Sequence, residues 1–384
     1  MDETPLVSII IPHYNGLEIL LRCLESVVVS SQNRGGQNIG LDSRLRGNDA
    51  SESSASYTDF PNPEVTSEII LVDNASTDGS GEIAKGKFPE IRWLQSEENL
   101  GFAGGCNFGM KAARGKYVVL LNNDAVVTPG WLEAMVEVVE ADENVAAVQP
   151  KIRSLVNHGY FDYAGAAGGM LDVWGFPFAR GRMFFTAEED LGQFDEGCEI
   201  FWASGTCTLL RKSAVEQVGF LDETFFAHME EIDLDWRLHL AGYEIKAQPA
   251  ATVFHNAGST LKPDSPRKVF LNHRNNLIML LKNYQIFTLL WIMPVRVVFE
   301  CMALGFALMK GNFRQVGAIF SAFFASFKLT KHILVERKRV ARFRKISDKT
   351  LMKKMYRGSI VLQYFVFGKK TFESLNIAPI DDQN

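Results

Sequence analysis

The sequence predicts an α/β fold built on an open, mostly parallel sheet with helices on both faces. Short apolar runs rich in β-branched or aromatic residues recur at 7–12 (VSIIIP), 68–73 (EIILVD), 91–95 (IRWLQ) and 117–121 (YVVLL). Segments with helical spacing of apolar residues accompany them over 17–29, 102–114 and 131–142. Strands alternating with helices are the pattern of a parallel sheet. The 384-residue chain is 47% hydrophobic with a net charge of −5. That supports a large core without staples and is the opposite of a disorder-prone balance.

Residues 7–12 form an uninterrupted apolar run closed by Pro12, the mark of a strand buried on both faces. Residues 17–29 (LEILLRCLESVVV) follow as a helix. Between 30 and 64 the chain is rich in Ser, Gly and Asn and nearly free of large apolar groups. Such a stretch cannot bury enough surface to fold alone, so it reads as an exposed insertion. The runs at 68–73, 91–95 and 117–121 are the next strands, and 206–211 is a further strand-like segment. A short helix over 213–220, a turn at 221–222 and a helix over 267–284 complete the regular pattern.

Residues 286–309 are apolar over 24 positions, interrupted by Pro294, Arg296 and Glu300, and 316–329 is a second, shorter apolar run. About 20 apolar residues suffice to span a bilayer. A central Arg costs roughly 2.5–3.5 kcal/mol on insertion scales, softened here by the i, i+4 pairing of Arg296 with Glu300. The two runs fit a spanning hairpin, an in-plane anchor or a helical cap. The charges and the short second run favour in-plane or partial insertion. Residues 328–357 hold twelve of the 40 basic residues and two of the 45 acidic ones, which leaves the rest of the chain at −15. A basic segment beside apolar helices attracts anionic lipid. The acidic body disfavours a nucleic-acid binder that relies on overall basicity. The chain thus divides into an α/β domain over 1–265 and a helical, membrane-associating region over 266–384. Five cysteines without a CxxC pair suggest no disulfide framework and a reducing compartment. The acidic start MDETP lacks the basic n-region of a signal peptide.

Ligands of open α/β sheets bind outside the carboxyl ends of the strands. Four polar clusters stand there: His13-Tyr14-Asn15, Asp73 to Asp78 (DNASTD), Glu98-Asn99-Leu100-Gly101 and Asn122-Asn123-Asp124. Any one of them is explained by helix capping or a turn; four in succession are not. A fifth cluster, Glu230, Glu231 and Asp233, opens a helix, where acidic decoration is itself ordinary.

The series VSIIIPHYN, IILVDNASTDGS, ENLGFAGGCNFG, YVVLLNNDAVV, FFAHMEEIDLDWRL and TVFHNAGST resembles family 2 glycosyltransferases of the GT-A fold, in particular the bacterial rhamnosyltransferase-like branch. The resemblance covers roughly residues 5–285. It implies that Pro12, Tyr14, Asn15, Asp73, Asn99 and Asn107 line a nucleotide pocket, with Asp73 accepting the imide N–H of a pyrimidine. It implies a divalent cation, Mg²⁺ or Mn²⁺, on Asp124, with Asn122 in place of an aspartate, and His255 completing the metal shell. It implies Glu231 as general base, with Glu230 as second candidate. Trp202, Gly205 and Asp233 would border donor sugar and acceptor. The implied reaction is inverting transfer of rhamnose or another hexose from a dTDP- or UDP-sugar to a glycan, lipid-linked, at the cytoplasmic face of the plasma membrane. Two alternatives stay open: a polyprenyl-phosphate glycosyltransferase, and a non-catalytic nucleotide-sugar-binding scaffold at the membrane.

Overall fold

The computed structural model describes residues 4–32, 65–256, 265–377 and 380. From residue 33 on, the predicted insertion lies outside the described residues. The first half alternates as expected: β1 (Val7–His13), α1 (Leu17–Gln32), β2 (Ser67–Asp73), α2 (Ser80–Lys87), β3 (Arg92–Gln95), α3 (Gly101–Ala112), β4 (Tyr117–Leu121), β5 (Ala125–Val127), α4 (Trp131–Ala141) and β6 (Val145–Ser154). After β6 come four short strands, β7 (Gly169–Leu171), β8 (Pro177–Ala179), β9 (Arg182–Met183) and β10 (Thr186–Ala187). Then follow β11 (Cys198–Glu199), β12 (Cys207–Arg211), α5 (Lys212–Val218), α6 (Glu230–Leu240) and β13 (Glu244–His255).

The principal sheet has the order β11-β13-β6-β12-β4-β1-β2-β3, with β5 paired to β13. Strands β3, β2, β1 and β4 are mutually parallel. Antiparallel β12 then joins them to the parallel pair β6 and β13. Strand periodicity of two sends alternate side chains to opposite faces. Val7, Ile9 and Ile11 of β1 pack with Leu20 and Leu24 of α1 and Trp131 and Met135 of α4. Ile10 of β1 packs on the other face with Ala103 and Met110 of α3 and Leu234 and Leu238 of α6. Burying each of these isoleucines contributes about 2 kcal/mol. Strands β7–β10 form a separate antiparallel sheet.

The C-terminal part is helical: α7 (Pro266–Asn283), α8 (Ile286–Met309), α9 (Phe313–Lys328), α10 (Thr330–Phe343), α11 (Asp348–Leu351) and α12 (Ile360–Phe365). It shares a core with the sheet domain in which Trp236 of α6 meets Ile278, Tyr284, Ile292 and Ile333. The basic segment is not uniformly a free surface. Arg337 donates to the carbonyls of Leu281 and Tyr284, Arg344 pairs with Asp348, and Lys354 pairs with Glu199.

Candidate functional site

Parallel register brings the carboxyl ends of β1 and β2 side by side, with His13 opposite Asp73. Asp73 is fully buried. Its Oδ1 accepts the Ser76 N–H at 2.8 Å, and its Oδ2 has no partner. That oxygen lies against Gly81 of α2, where a Cβ would stand 2.1 Å away. A carboxylate oxygen is acceptor-only, so the unfilled one suits an N–H donor. The following loop is tied to the end of β1. Asn15, at φ 57°, donates its N–H to Ser76 and accepts from the Thr77 N–H, and Gly16 N–H binds Asp78. Pro12 is buried on this edge, within reach of Gly105, and Tyr14 is 45% exposed beside it.

Asn74 links this edge to the third cluster. Its amide donates to the Gly101 carbonyl at 2.9 Å and its Oδ1 accepts from Leu100 N–H, while Asn99 Oδ1 accepts from Gly101 N–H. On the β4 side, Asn123 meets His13 Nδ1 at 2.8 Å, and His13 Nε2 meets Ser80. Burial lowers the His13 pKa, opposed by Asp73 and Asp78.

Asp124 precedes β5 and His255 ends β13, and the pairing of His255 with Ala125 sets them together. His255 Nε2 faces Asp124 Oδ1 at 3.0 Å, and its Nδ1 lies 2.8 Å from Asp162. All three residues are buried. An imidazole nitrogen beside a carboxylate oxygen, with a second carboxylate behind the ring, is a donor set that suits a divalent cation. Among the described residues no group of three or more His, Cys, Asp or Glu is placed to hold a metal ion. A cation here would take its other oxygens from phosphate and water. Asp162 was not visible in the sequence, because nothing in FDYAG sets it apart from a turn aspartate.

Glu230 and Glu231 begin α6. The loop before them is strained: Phe226, His228 and Met229 all hold positive φ, at 64°, 71° and 73°. Such residues cost about 1–3 kcal/mol each and persist where the surroundings over-determine them. Asn275 of α7 does so. Its buried amide nitrogen lies 3.0, 3.0 and 2.8 Å from the carbonyls of Phe225, Ala227 and His228. Arg274 binds the carbonyls of Thr224 and Phe225. The Phe226 carbonyl in turn accepts from Phe102 N–H at 2.8 Å, so the loop abuts the start of α3. Gly101, at φ +71°, makes this approach possible, since a Cβ would lie 2.5 Å from that carbonyl oxygen.

Burial pushes Glu231 up to about 7, against two backbone N–H groups that favour its charged form. Glu230 is raised well above the ordinary range by burial and by the Glu231 charge. Each has a buried oxygen without a partner. Two neighbouring carboxyls pushed to different pKa values can divide acid and base roles.

Three expected site residues are committed to structural partners. Asn107 spends its amide on Leu221 and Glu223, so it clamps α3 to that loop and is not free for a nucleotide. Trp202 is a core residue, its Nε1 bonded to the Met170 carbonyl and its ring covering Gly169. Asp233 is fully buried in an ion cluster with Arg237, Lys282 and Asn283, and so holds α6 to α7. Gly205 lies beside Phe102, next to Thr206, whose carbonyl binds Asn122 N–H. Asp235 accepts the Ala203 N–H at 2.6 Å and ties this strip to α6.

The family model for glycosyl transferase family 2 matches residues 59–219. The chain is 30% identical over 227 residues to the N-acetylglucosaminyl-diphospho-decaprenol L-rhamnosyltransferase of Mycobacterium tuberculosis, covering 55% of this chain and 74% of that one. It is 30% identical over 203 residues to the poly-beta-1,6-N-acetyl-D-glucosamine synthase of Staphylococcus aureus, covering 50% of this chain and 44% of that one. Among solved structures, a mannosyltransferase from Pyrobaculum calidifontis aligns with a TM-score of 0.45 at 15% identity over 89% of this chain and 86% of that one. With the mycobacterial relative matched over 74% of its length and the family model covering the ends of β2, β3 and β4, the chain belongs to glycosyl transferase family 2.

Proposed function

We propose that the chain is an inverting glycosyltransferase that moves rhamnose or another hexose from a dTDP- or UDP-sugar to a lipid-linked glycan, in cell-surface polysaccharide synthesis. The observation that carries the reading is the pair of buried Glu230 and half-buried Glu231, led by a strained loop that abuts the start of α3. Glu231 takes the proton of the acceptor hydroxyl as that oxygen attacks the anomeric carbon. The bond to the nucleoside diphosphate breaks as the new one forms, which inverts the centre. Glu230 keeps its proton and serves as a hydrogen-bond donor beside it.

Pro12, Tyr14, Asn15 and Asn99 surround the nucleotide, and the open Asp73 oxygen receives the pyrimidine N–H. Asp124 and His255 would hold Mg²⁺ or Mn²⁺, with Asp162 fixing the imidazole, and a bound cation would supply charge neutralisation for the leaving diphosphate. The mycobacterial relative is named for a rhamnosyl transfer involving a sugar-diphospho-prenol. That name supports the lipid-linked acceptor and makes rhamnose the first donor sugar to try. We propose the cytoplasmic face of the plasma membrane as the place of this reaction.

Replacing Glu231 with Gln tests the reading. Transfer should fall by about 10²–10⁴-fold, the usual worth of a general base, with dTDP or UDP binding unchanged. Retained turnover would remove Glu231 as the base and favour a phosphate acceptor, which needs no deprotonation.

A further inference from the structure

A surface helix of a water-soluble domain buries its apolar stripe and shows its charges to solvent. Helix α8 does the reverse. Its buried side carries its only two charged residues, Arg296 and Glu300. These pair at 2.7 Å, and His273 of α7 meets Glu300 at 2.5 Å. The Arg296 guanidinium lies 3.8 Å from the centre of the Phe176 ring. The outer side is apolar from end to end, through Phe287, Leu290, Trp291, Val298, Met302 and Met309. Phe320, Phe324 and Phe327 of α9 and Leu334 and Val335 of α10 extend the exposed apolar surface.

The charge around this surface is predominantly basic, with Glu336 the one acid of α10, beside Arg339. Residues 301–335 contain no Asp or Glu, while Lys310, Arg314, Lys328 and Lys331 are all exposed. The outward side of α10 interleaves Lys331, Leu334, Val335 and Lys338. An apolar face edged by lysine and arginine complements a surface that is hydrocarbon within and anionic at its headgroups. A second copy of the chain is a poor occupant, because a two-fold contact would set this basic edge against itself.

Length alone would allow α8 to cross a bilayer. The packing argues against it. Asp348 binds the N–H of Gln285 just before the helix, and α7 and residues 174–176 lie along its middle. If α8 crossed the hydrocarbon, the irregular backbone of 174–176 would be carried in with it. We infer that α8, α9 and α10 form a platform that rests in the plane of an anionic bilayer surface, with α8 lying along the membrane and not across it.

This deepens the membrane-side reading above, and it is tested without donor or acceptor, so its failure and that of the catalytic assignment are separable. The purified full chain is mixed with vesicles of phosphatidylcholine alone or with a quarter phosphatidylglycerol, and bound protein is read by flotation. Binding should be at least about tenfold stronger to the anionic vesicles and fall as salt rises. The variant carrying Lys310→Glu, Arg314→Glu, Lys328→Glu and Lys331→Glu should lose that preference while its nucleotide-induced thermal shift stays unchanged. Cys301, exposed on the same helix, should react with a maleimide in solution and be protected by anionic vesicles. Alkaline carbonate should release the bound protein. Resistance to carbonate would overturn the in-plane placement in favour of a span. Equal binding to both vesicle types, or none, would overturn the anionic partner. Protection of Cys301 in a dimer without vesicles would assign the face to a second copy.

Discussion

Asp73 and Gly81 show how a single residue sets the edge proposed to bind the nucleotide. Gly81 does not hold a positive φ, so alanine is conformationally acceptable there; only the contact with the Asp73 carboxylate forbids it. Gly81→Ala should therefore leave the fold intact and displace that carboxylate. Titration calorimetry should show at least a tenfold loss of dTDP or UDP affinity. Glu231 gives a second residue-scale expectation. Its pKa rises from an ordinary 4.5 to about 7 in the fold. Above 4.5 the unfolded chain loses this proton while the folded one retains it, so the group opposes folding increasingly up to about pH 7. Turnover should climb through pH 7 as the base ionises, and Glu231→Gln should melt higher than the parent at pH 8 but not at pH 4. A variant that melts lower at pH 8 would mean that Glu231 is structural. The residue types of this site were legible in the sequence, but their free valences were not. Asn107, Trp202 and Asp233 carry suitable chemistry, yet each is committed to a partner more than 25 positions away in the chain. Asp162 acquires its place only because β13 returns His255 to it.

At the scale of elements, the strands β1, β2 and β4 announce themselves because a parallel strand covered on both faces must be apolar at every position. Strands β6 and β13 do not: VAAVQPKIRS and EIKAQPAATVFH carry Pro150, Pro249 and several charges, which read as loop. Their pairing, with a register shift between Gln248 and Thr252, is a tertiary fact that local pattern does not encode. The loop before α6 is the element on which the proposed catalysis rests, and Asn275 holds it. Asn275→Ala removes the two amide hydrogens shared among three carbonyls and releases backbone held at positive φ. The expected result is a fall in kcat of about tenfold or more, from misplacing the base, with donor binding kept, since among the described residues the loop's hydrogen bonds run to α3 and α7 and not to Asp73. Unchanged kcat in a folded variant would show that the loop holds its conformation unaided.

At the scale of the whole molecule, the charge segregation seen in the sequence survives, but the boundary near residue 265 does not separate two independent bodies. After the helices the chain returns to the small sheet. Ile360, Tyr364, Leu375 and Ile380 pack with Met170, Phe178 and Met183. The clasp is Asp172. One of its oxygens accepts from the N–H groups of Trp174 and Phe176, and the other accepts from Ile360 N–H at 3.0 Å, where α12 begins. The same residue bridges the backbone to Tyr356. Helix α8 packs on the 174–176 turn that this carboxyl shapes, so one side chain joins the small sheet, the inverted helix and the chain end. Asp172→Ala leaves three N–H groups without their acceptor, at a cost of about 1–3 kcal/mol for each that stays dry. The denaturation midpoint should fall, and limited proteolysis should cut near residue 357 before it cuts the main sheet. Asp172→Asn, which keeps an acceptor oxygen, should lose less. If both variants resist proteolysis as the parent does, the tail is held by its apolar contacts alone and Asp172 is not the clasp.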